Sequence, residues 1–212
     1  MKINKWLIVL ILLSVIGTAI VYPYVPEMVP GHWNFKGEID RYQSKGFLFL
    51  TAILPLGLYL LMFFLPKIDP KKAAYLKHER AYKIFQIFIT LFLIAIHWIT
   101  VAVALGYSLN VGILVRLGMG FLFIVTGNYM SQIRQNYFFG IKNPWTLANE
   151  QVWKKTHRIG GYAFILSGII AVFTIFLRDS IAFIALMLGL FIPLIYTNVY
   201  SYFLYKRITK EE

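Results

Sequence analysis

Six runs of about twenty apolar residues take up most of this chain, and they decide what it can fold into. They are Trp6 to Tyr22, Phe47 to Leu65, Ile84 to Leu105, Val111 to Tyr129, Ile159 to Leu177 and Ile181 to Tyr205. A hydrocarbon layer roughly 30 Å thick calls for helices of this length. The chain is 59% hydrophobic and only 14% charged, with a mean hydropathy of +0.67, whereas an ordinary soluble domain is roughly a quarter charged. The expected fold class is therefore all-α: a polytopic membrane protein with six transmembrane helices. Residues 1–212 form a single integral membrane domain, with no stretch left over for a separate soluble one.

The first run follows Lys2 and Lys5, as a secretion signal would. It continues through Thr18 and Tyr22 into Pro23 and Pro26 without a small-residue cleavage pattern, so it is expected to be a retained helix. Cysteine is absent, which excludes disulfides, thiol catalysis and cysteine-ligated metals.

Lysine and arginine sort unevenly between the two sides. Lys2, Lys5, Lys67, Lys71, Lys72, Lys77, Arg80, Lys83, Arg134, Lys142, Lys154, Lys155, Arg158, Lys206, Arg207 and Lys210 fall on one side, sixteen in all. Lys36, Arg41, Lys45 and Arg178 fall on the other, and Arg116 lies within a span. Short basic loops stay in the cytoplasm, so both N- and C-termini are expected to be cytoplasmic. The net charge of +12 then reads as cations gathered at the ends of apolar spans. Anionic membrane lipids are the partners this suggests, with no direct nucleic-acid contact.

The connectors are unequal. Ser108-Leu109-Asn110 and Leu177 to Ser180 are tight turns that make helical hairpins of spans three and four and of spans five and six. Pro66 to Lys83 reads as a turn at Asp69-Pro70 followed by a basic, lipid-facing helix running into span three. Within the spans, Arg116 lies close enough to the outer end to snorkel to the interface. His97 lies nearer the middle of its span, where an ionisable group faces protein or a water cavity. Gly112, Gly118 and Gly120, with Gly160, Gly161 and Gly168, offer surfaces for close helix approach.

Two longer connectors remain, an outer cap loop over 23–46 and an inner motif loop over 130–158. The outer loop, "PEMVPGHWNFKGEIDRYQSKG", has prolines that prevent regular helix and then a Gly-Glu-Ile-Asp turn region. His32, Glu38 and Asp40 lack the ligand spacing of a metal site, while Trp33 and Tyr42 suit the membrane interface.

The inner segment reads "GNYMSQIRQNYFFGIKNPWTLANEQVWKKTHRIGG". Asn143-Pro144 is a helix start, and Pro144 to Arg158 suits one short helix with Trp145, Ala148 and Val152 on one face. Lys154, Lys155, His157 and Arg158 would then complement its C-terminal dipole. Arg134 is expected to tie the loop to Asn136, to backbone carbonyls or to a lipid phosphate through its guanidinium fork, and Trp145 to wedge the following helix against the interface.

This inner segment resembles the signature of the SdpI-type immunity proteins, integral membrane proteins that protect bacteria from the sporulation-delaying peptide toxin. The outer Pro-x-His-Trp segment with its Gly, Asp and Lys also resembles a domain of unknown function found in other membrane proteins. The resemblance implies a multi-pass protein of the bacterial cytoplasmic membrane that gives immunity to a membrane-active peptide toxin by binding, without covalent chemistry. It implies that the toxin or another partner meets the inner motif at Asn128, Arg134, Asn136, Tyr137, Gly140, Pro144, Trp145, Thr146, Trp153, His157 and Arg158. The outer cap residues it marks are Pro30, His32, Trp33, Gly37, Asp40 and Lys45. In the best-known system a soluble transcriptional repressor is also drawn to the membrane, so a signalling receptor that sequesters such a repressor is the alternative, with a small transporter as a third. The sequence has no nucleophile–base pair, metal pattern or nucleotide-binding loop, so neither enzymatic activity nor a cofactor is expected. Enzymatic chemistry would need Arg134, His157 and a carboxylate such as Glu150 to converge.

Overall fold

A computed structural model describes residues 3–211; Lys2, counted above among the cytoplasmic cations, lies outside them. The helices are α1 (Lys5–Val21), α2 (Phe47–Ile68), α3 (Ala74–Lys77), α4 (Glu79–Ala104), α5 (Val111–Met130), α6 (Pro144–Ala148), α7 (Glu150–Phe173) and α8 (Asp179–Glu211). Six of them, all but α3 and α6, are long and apolar enough to cross a membrane. Helix α1 starts at Asn4, whose side chain accepts the Leu7 N–H at 3.2 Å, and it ends in a 3-10 turn containing Pro23.

Helices α1, α2 and α4 pack as one group and α5, α7 and α8 as another, with α4 against α5 joining them. The tightest pairing is α5 with α7. A Cβ on Gly127 would lie 2.6 Å from the Gly161 carbonyl, and one on Gly168 would lie 2.6 Å from that of Gly120. Only glycine lets two backbones come this close, and dispersion and weak carbonyl contacts replace the hydrophobic drive that lipid removes. In the first group His97 is 1% exposed. Its Nε2 meets Thr18 Oγ1 at 2.8 Å and its Nδ1 meets Thr51 Oγ1 at 2.9 Å, so one ring pins α1 and α2 to α4.

The outer connector is a β-hairpin, which holds the two strands found among the described residues. Strand β1 (Met28–Trp33) pairs antiparallel with β2 (Ile39–Ser44), with irregular register around Gly31. The expected turn at Gly37 to Asp40 lies instead at Asn34 to Gly37, where Asn34 Oδ1 accepts the N–H groups of Lys36 and Glu38 at 2.8 and 3.1 Å. Ile39 and Asp40 therefore belong to β2. A lone hairpin is marginal in water; this one is anchored by Val29, fully buried with Val25 against Leu48 and Val101.

Two other expectations change. Pro144 to Arg158 is not one helix: it breaks at Asn149, whose extended backbone closes α6 while its side chain accepts the Gln151 and Val152 N–H groups to cap α7. Lys154, Lys155, His157 and Arg158 thus sit in the first half of α7, away from any C-terminal dipole. The Pro66 to Lys83 connector is not a basic lipid-facing helix either. Helix α3 spans four residues, and Asp69, Tyr75 and His78 are each 2% exposed.

Candidate functional site

The inner motif folds around a buried amide. Asn136 is fully buried; its Oδ1 accepts the Phe138 and Phe139 N–H groups at 3.0 and 2.7 Å, and its Nδ2 donates to the carbonyls of Arg134 and Phe139, both at 2.8 Å. An Asn side chain can close such a loop because it supplies donors and an acceptor from one planar group.

The loop is tied to the preceding connector by the Asp69 carboxylate. Asp69 accepts the Lys71 N–H at 2.7 Å, the Tyr137 N–H at 2.9 Å and the Tyr75 hydroxyl at 3.0 Å. Tyr75 also lies 3.0 Å from Asn136 Oδ1. Its single hydroxyl hydrogen goes to the carboxylate, the stronger acceptor, because Asn136 Oδ1 already holds two N–H groups. Burial and this bond push the Tyr75 pKa above the ordinary phenol value. His78 Nδ1 accepts the Arg134 N–H at 3.1 Å; burial, and then the Arg134 charge, lower its pKa to about 4. Phe139 fills the space between His78, Tyr82 and Phe85.

The far side of the loop rests on α7. Trp153 and His157 are fully buried with stacked rings 4.1 Å apart, and Trp153 Nε1 donates to the Ile133 carbonyl at 2.8 Å. His157 Nε2 accepts the Ile141 N–H at 3.0 Å, so the ring proton is on Nδ1, which donates to the Trp153 carbonyl at 2.9 Å. Gly140 makes this possible. Its φ is +115°, and a Cβ there would lie 2.3 Å from His157 Nε2.

Helix α6 is held by a reciprocal cap in which Asn143 Oδ1 accepts the Thr146 N–H at 2.9 Å and Thr146 Oγ1 accepts the Asn143 N–H at 3.0 Å. Pro144 occupies the first turn, where its missing N–H costs nothing. Asn143 Nδ2 reaches Ser201 at 2.8 Å, and Trp145 packs on Tyr202, so α6 leans on α8. Trp145 is therefore half-buried against protein, where the sequence suggested a wedge at the lipid interface. Gln135 Nε2 donates to the Thr146 and Leu147 carbonyls at 2.8 and 2.9 Å, closing the motif.

The expected motif residues thus divide into a frame and a surface. Asn136, Gly140, Pro144, Trp145, Thr146, Trp153 and His157 build the frame. Arg134, Tyr137, Asn128 and Arg158 are exposed. The Arg134 guanidinium makes no hydrogen bond or ion pair among the described residues; it is the residue's backbone that ties the loop. Arg134 lines one cleft with Lys71, Lys77 and Glu150, whereas Asn128 and Arg158 line another between α5 and α7. His157 joins neither, so Arg134, His157 and Glu150 do not converge. Asp69, Tyr75, His78 and Gln135 were missed as partners; the available signal was Tyr75 and His78 three positions apart, just after Asp69-Pro70.

At the opposite end, His32 Nδ1 and Asp40 Oδ1 pair at 2.6 Å on the exposed side of the hairpin, while Glu38 turns to Asn34 at 3.0 Å. Lys45 pairs with Glu27 at 2.7 Å, which raises its pKa. Pro30 is buried in β1. Trp33 and Gly37 border a cavity of about 290 Å³ beneath the hairpin, together with Arg116 and Phe183. Arg116 does not snorkel. It is 8% exposed, donating to the Gly112 carbonyl at 3.0 Å and the Thr174 carbonyl at 3.3 Å, with Asp179 at 3.5 Å. The Thr174 carbonyl where α7 ends, and a carboxylate at the start of α8, offered the fork nearer partners than the lipid surface.

Both ends of the molecule have counterparts in known proteins. The family model described as the SdpI/YfhL protein family matches residues 132–201, from the inner loop into α8. A domain of unknown function, DUF1648, matches residues 9–56, covering most of α1, the hairpin and the start of α2. No solved structure matches the chain. It is 30% identical over 210 residues to the immunity protein SdpI of Bacillus subtilis (strain 168), covering 98% of each chain. With six apolar helices and a similarity running nearly end to end, this is a multi-pass cell-membrane protein that belongs to the SdpI/YfhL family.

Proposed function

We propose that this protein gives its cell immunity to a membrane-active peptide toxin by binding it, with the hairpin end outside and the inner motif in the cytoplasm. The similarity to an immunity protein along 98% of both chains carries the reading. The side assignment rests on the cation asymmetry. A toxin arriving from outside meets the hairpin first, where His32 and Asp40 are exposed and the half-buried Trp33 borders the Arg116 cavity. The inner motif braces this end from below by locking α2, α4, α5 and α7 together.

The test is survival of a toxin-sensitive strain in which this chain is the sole immunity protein. Using a host without any candidate repressor keeps protection separate from signalling.

A further inference from the structure

Four cations from separate stretches converge on the cleft that contains Arg134. Lys71 follows α2, Lys77 ends α3, Arg134 lies in the motif loop and Lys154 lies in α7; with Gln135 and Glu150 they border a cavity of about 480 Å³. Glu150 is the one acid there, and it is paired with Lys154 at 2.9 Å. Lys71 meets only the neutral Gln135 amide oxygen and the Tyr137 ring. Lys77 and Arg134 have no hydrogen bond or ion pair among the described residues.

This is more than a solvated basic face. Gln135 is fixed by two backbone carbonyls and holds the Lys71 ammonium, while the Arg134 backbone is fixed through His78 and Asn136. The cations are thus rooted in a rigid frame with one carboxylate, Glu150, set against four positive charges, and bringing like charges together costs stability until an anion enters. A guanidinium fork beside two ammonium groups suits tetrahedral phosphate oxygens: the fork binds in a bidentate manner and the ammonium groups act as point charges. The cleft also lies at the ends of membrane-crossing helices, beside the last turn of α2 and the first turns of α4 and α7, which is the level of lipid headgroups.

We propose that this cleft is a binding site for a phosphate group, carried by an anionic lipid headgroup or by a soluble phosphate-bearing anion. It holds for either orientation of the chain and does not depend on the immunity reading.

The purified full chain tests it in two arms. Native mass spectrometry and thermal unfolding compare phosphatidylglycerol with phosphatidylcholine; separately, thermal unfolding follows pyrophosphate titration at ionic strength held constant with chloride. Stabilisation by phosphatidylglycerol alone identifies the lipid as the source, by pyrophosphate alone a soluble anion, and by both the phosphate group itself. Arg134→Gln and Lys77→Gln should each weaken that binding about tenfold, the scale of one charge-assisted contact. Neither side chain holds the fold together, so both variants should fold normally. Lys36→Gln, an equal charge loss on the hairpin, should change nothing. The site is refuted if neither ligand stabilises the chain beyond its control, or if Arg134→Gln and Lys77→Gln bind as tightly as the native chain.

Discussion

Asp69 accepts the backbone N–H of Tyr137 at 2.9 Å, although the two residues stand 68 positions apart. Through this bond the turn after α2 and the motif loop become one piece. The same carboxylate holds Tyr75, whose ring packs edge-on against Tyr82 of α4. The loop therefore works as a clamp between the two groups of helices.

Removing the clamp should be costly. Asn136→Ala strands two backbone N–H groups, and Asp69→Ala strands two more and leaves the Tyr75 hydroxyl only the Asn136 oxygen; an unsatisfied buried polar group costs roughly 1–3 kcal/mol. Each variant should unfold at a clearly lower temperature in detergent than the native chain. An unchanged midpoint for Asn136→Ala would mean that the loop is not part of the cooperative fold.

Gly140 and His157 should behave as a coupled pair. Gly140→Ala places a methyl group on His157 Nε2 at a backbone angle that disfavours any side chain. His157→Ala removes that clash but leaves the Ile141 N–H without its acceptor. The double variant should therefore lose less stability than the sum of the singles, by about 1 kcal/mol or more, as contacting residues do. Strict additivity would contradict the contact.

Much of this architecture was legible in the sequence. The six spans and the tight turns follow from apolar length and turn residues; of the glycines singled out, Gly120, Gly161 and Gly168 do line the approach of α5 to α7, whereas Gly112, Gly118 and Gly160 meet other neighbours and Gly127 was not picked out. The hairpin was hidden because its prolines and charges read as irregular loop, and only the buried Val29 and the pairing with 39–44 make strands of it. Asp69, Tyr75 and His78 were hidden for another reason. A basic stretch beside a membrane looks solvated, and nothing local shows that a loop some sixty positions later will cover it. Arg134 shows the converse: its fork looked like a tie within the loop, yet its backbone does that work and leaves the charge in a cleft.

His78 gives a pH signature. Its folded pKa of about 4 lies below the ordinary value of 6.5, so the unfolded chain binds more protons between those limits. Stability from this group is complete above pH 6.5 and is lost as pH falls towards 4. Asp69 and Arg134 face the ring with opposite effects. Thermal unfolding measured from pH 7.5 down to 5 should fall less steeply in His78→Gln than in the native chain; equal slopes would contradict a buried neutral ring.

Orientation can be read by cysteine labelling, since the chain has no native cysteine. Ser44 and Gln132 are exposed at opposite ends and their side chains form no hydrogen bond among the described residues; Asn149 is a poorer choice because it caps α7. Ser44→Cys should react with an impermeant thiol reagent in intact cells, and Gln132→Cys only after lysis. The reverse pattern would overturn the side assignment.

The central claim is protection, and survival under toxin challenge measures it directly. Cells that lack their own immunity protein should survive the membrane-active peptide toxin which that protein counters when they express this chain. That protection should fall with Trp33→Ala, at the edge of the cavity beneath the hairpin, and with Asp40→Ala, on its exposed side, while the amount of protein in the membrane stays the same. Cells that die as readily as the empty-vector control, with the native chain present in the membrane at the level of a protective relative, would contradict the account.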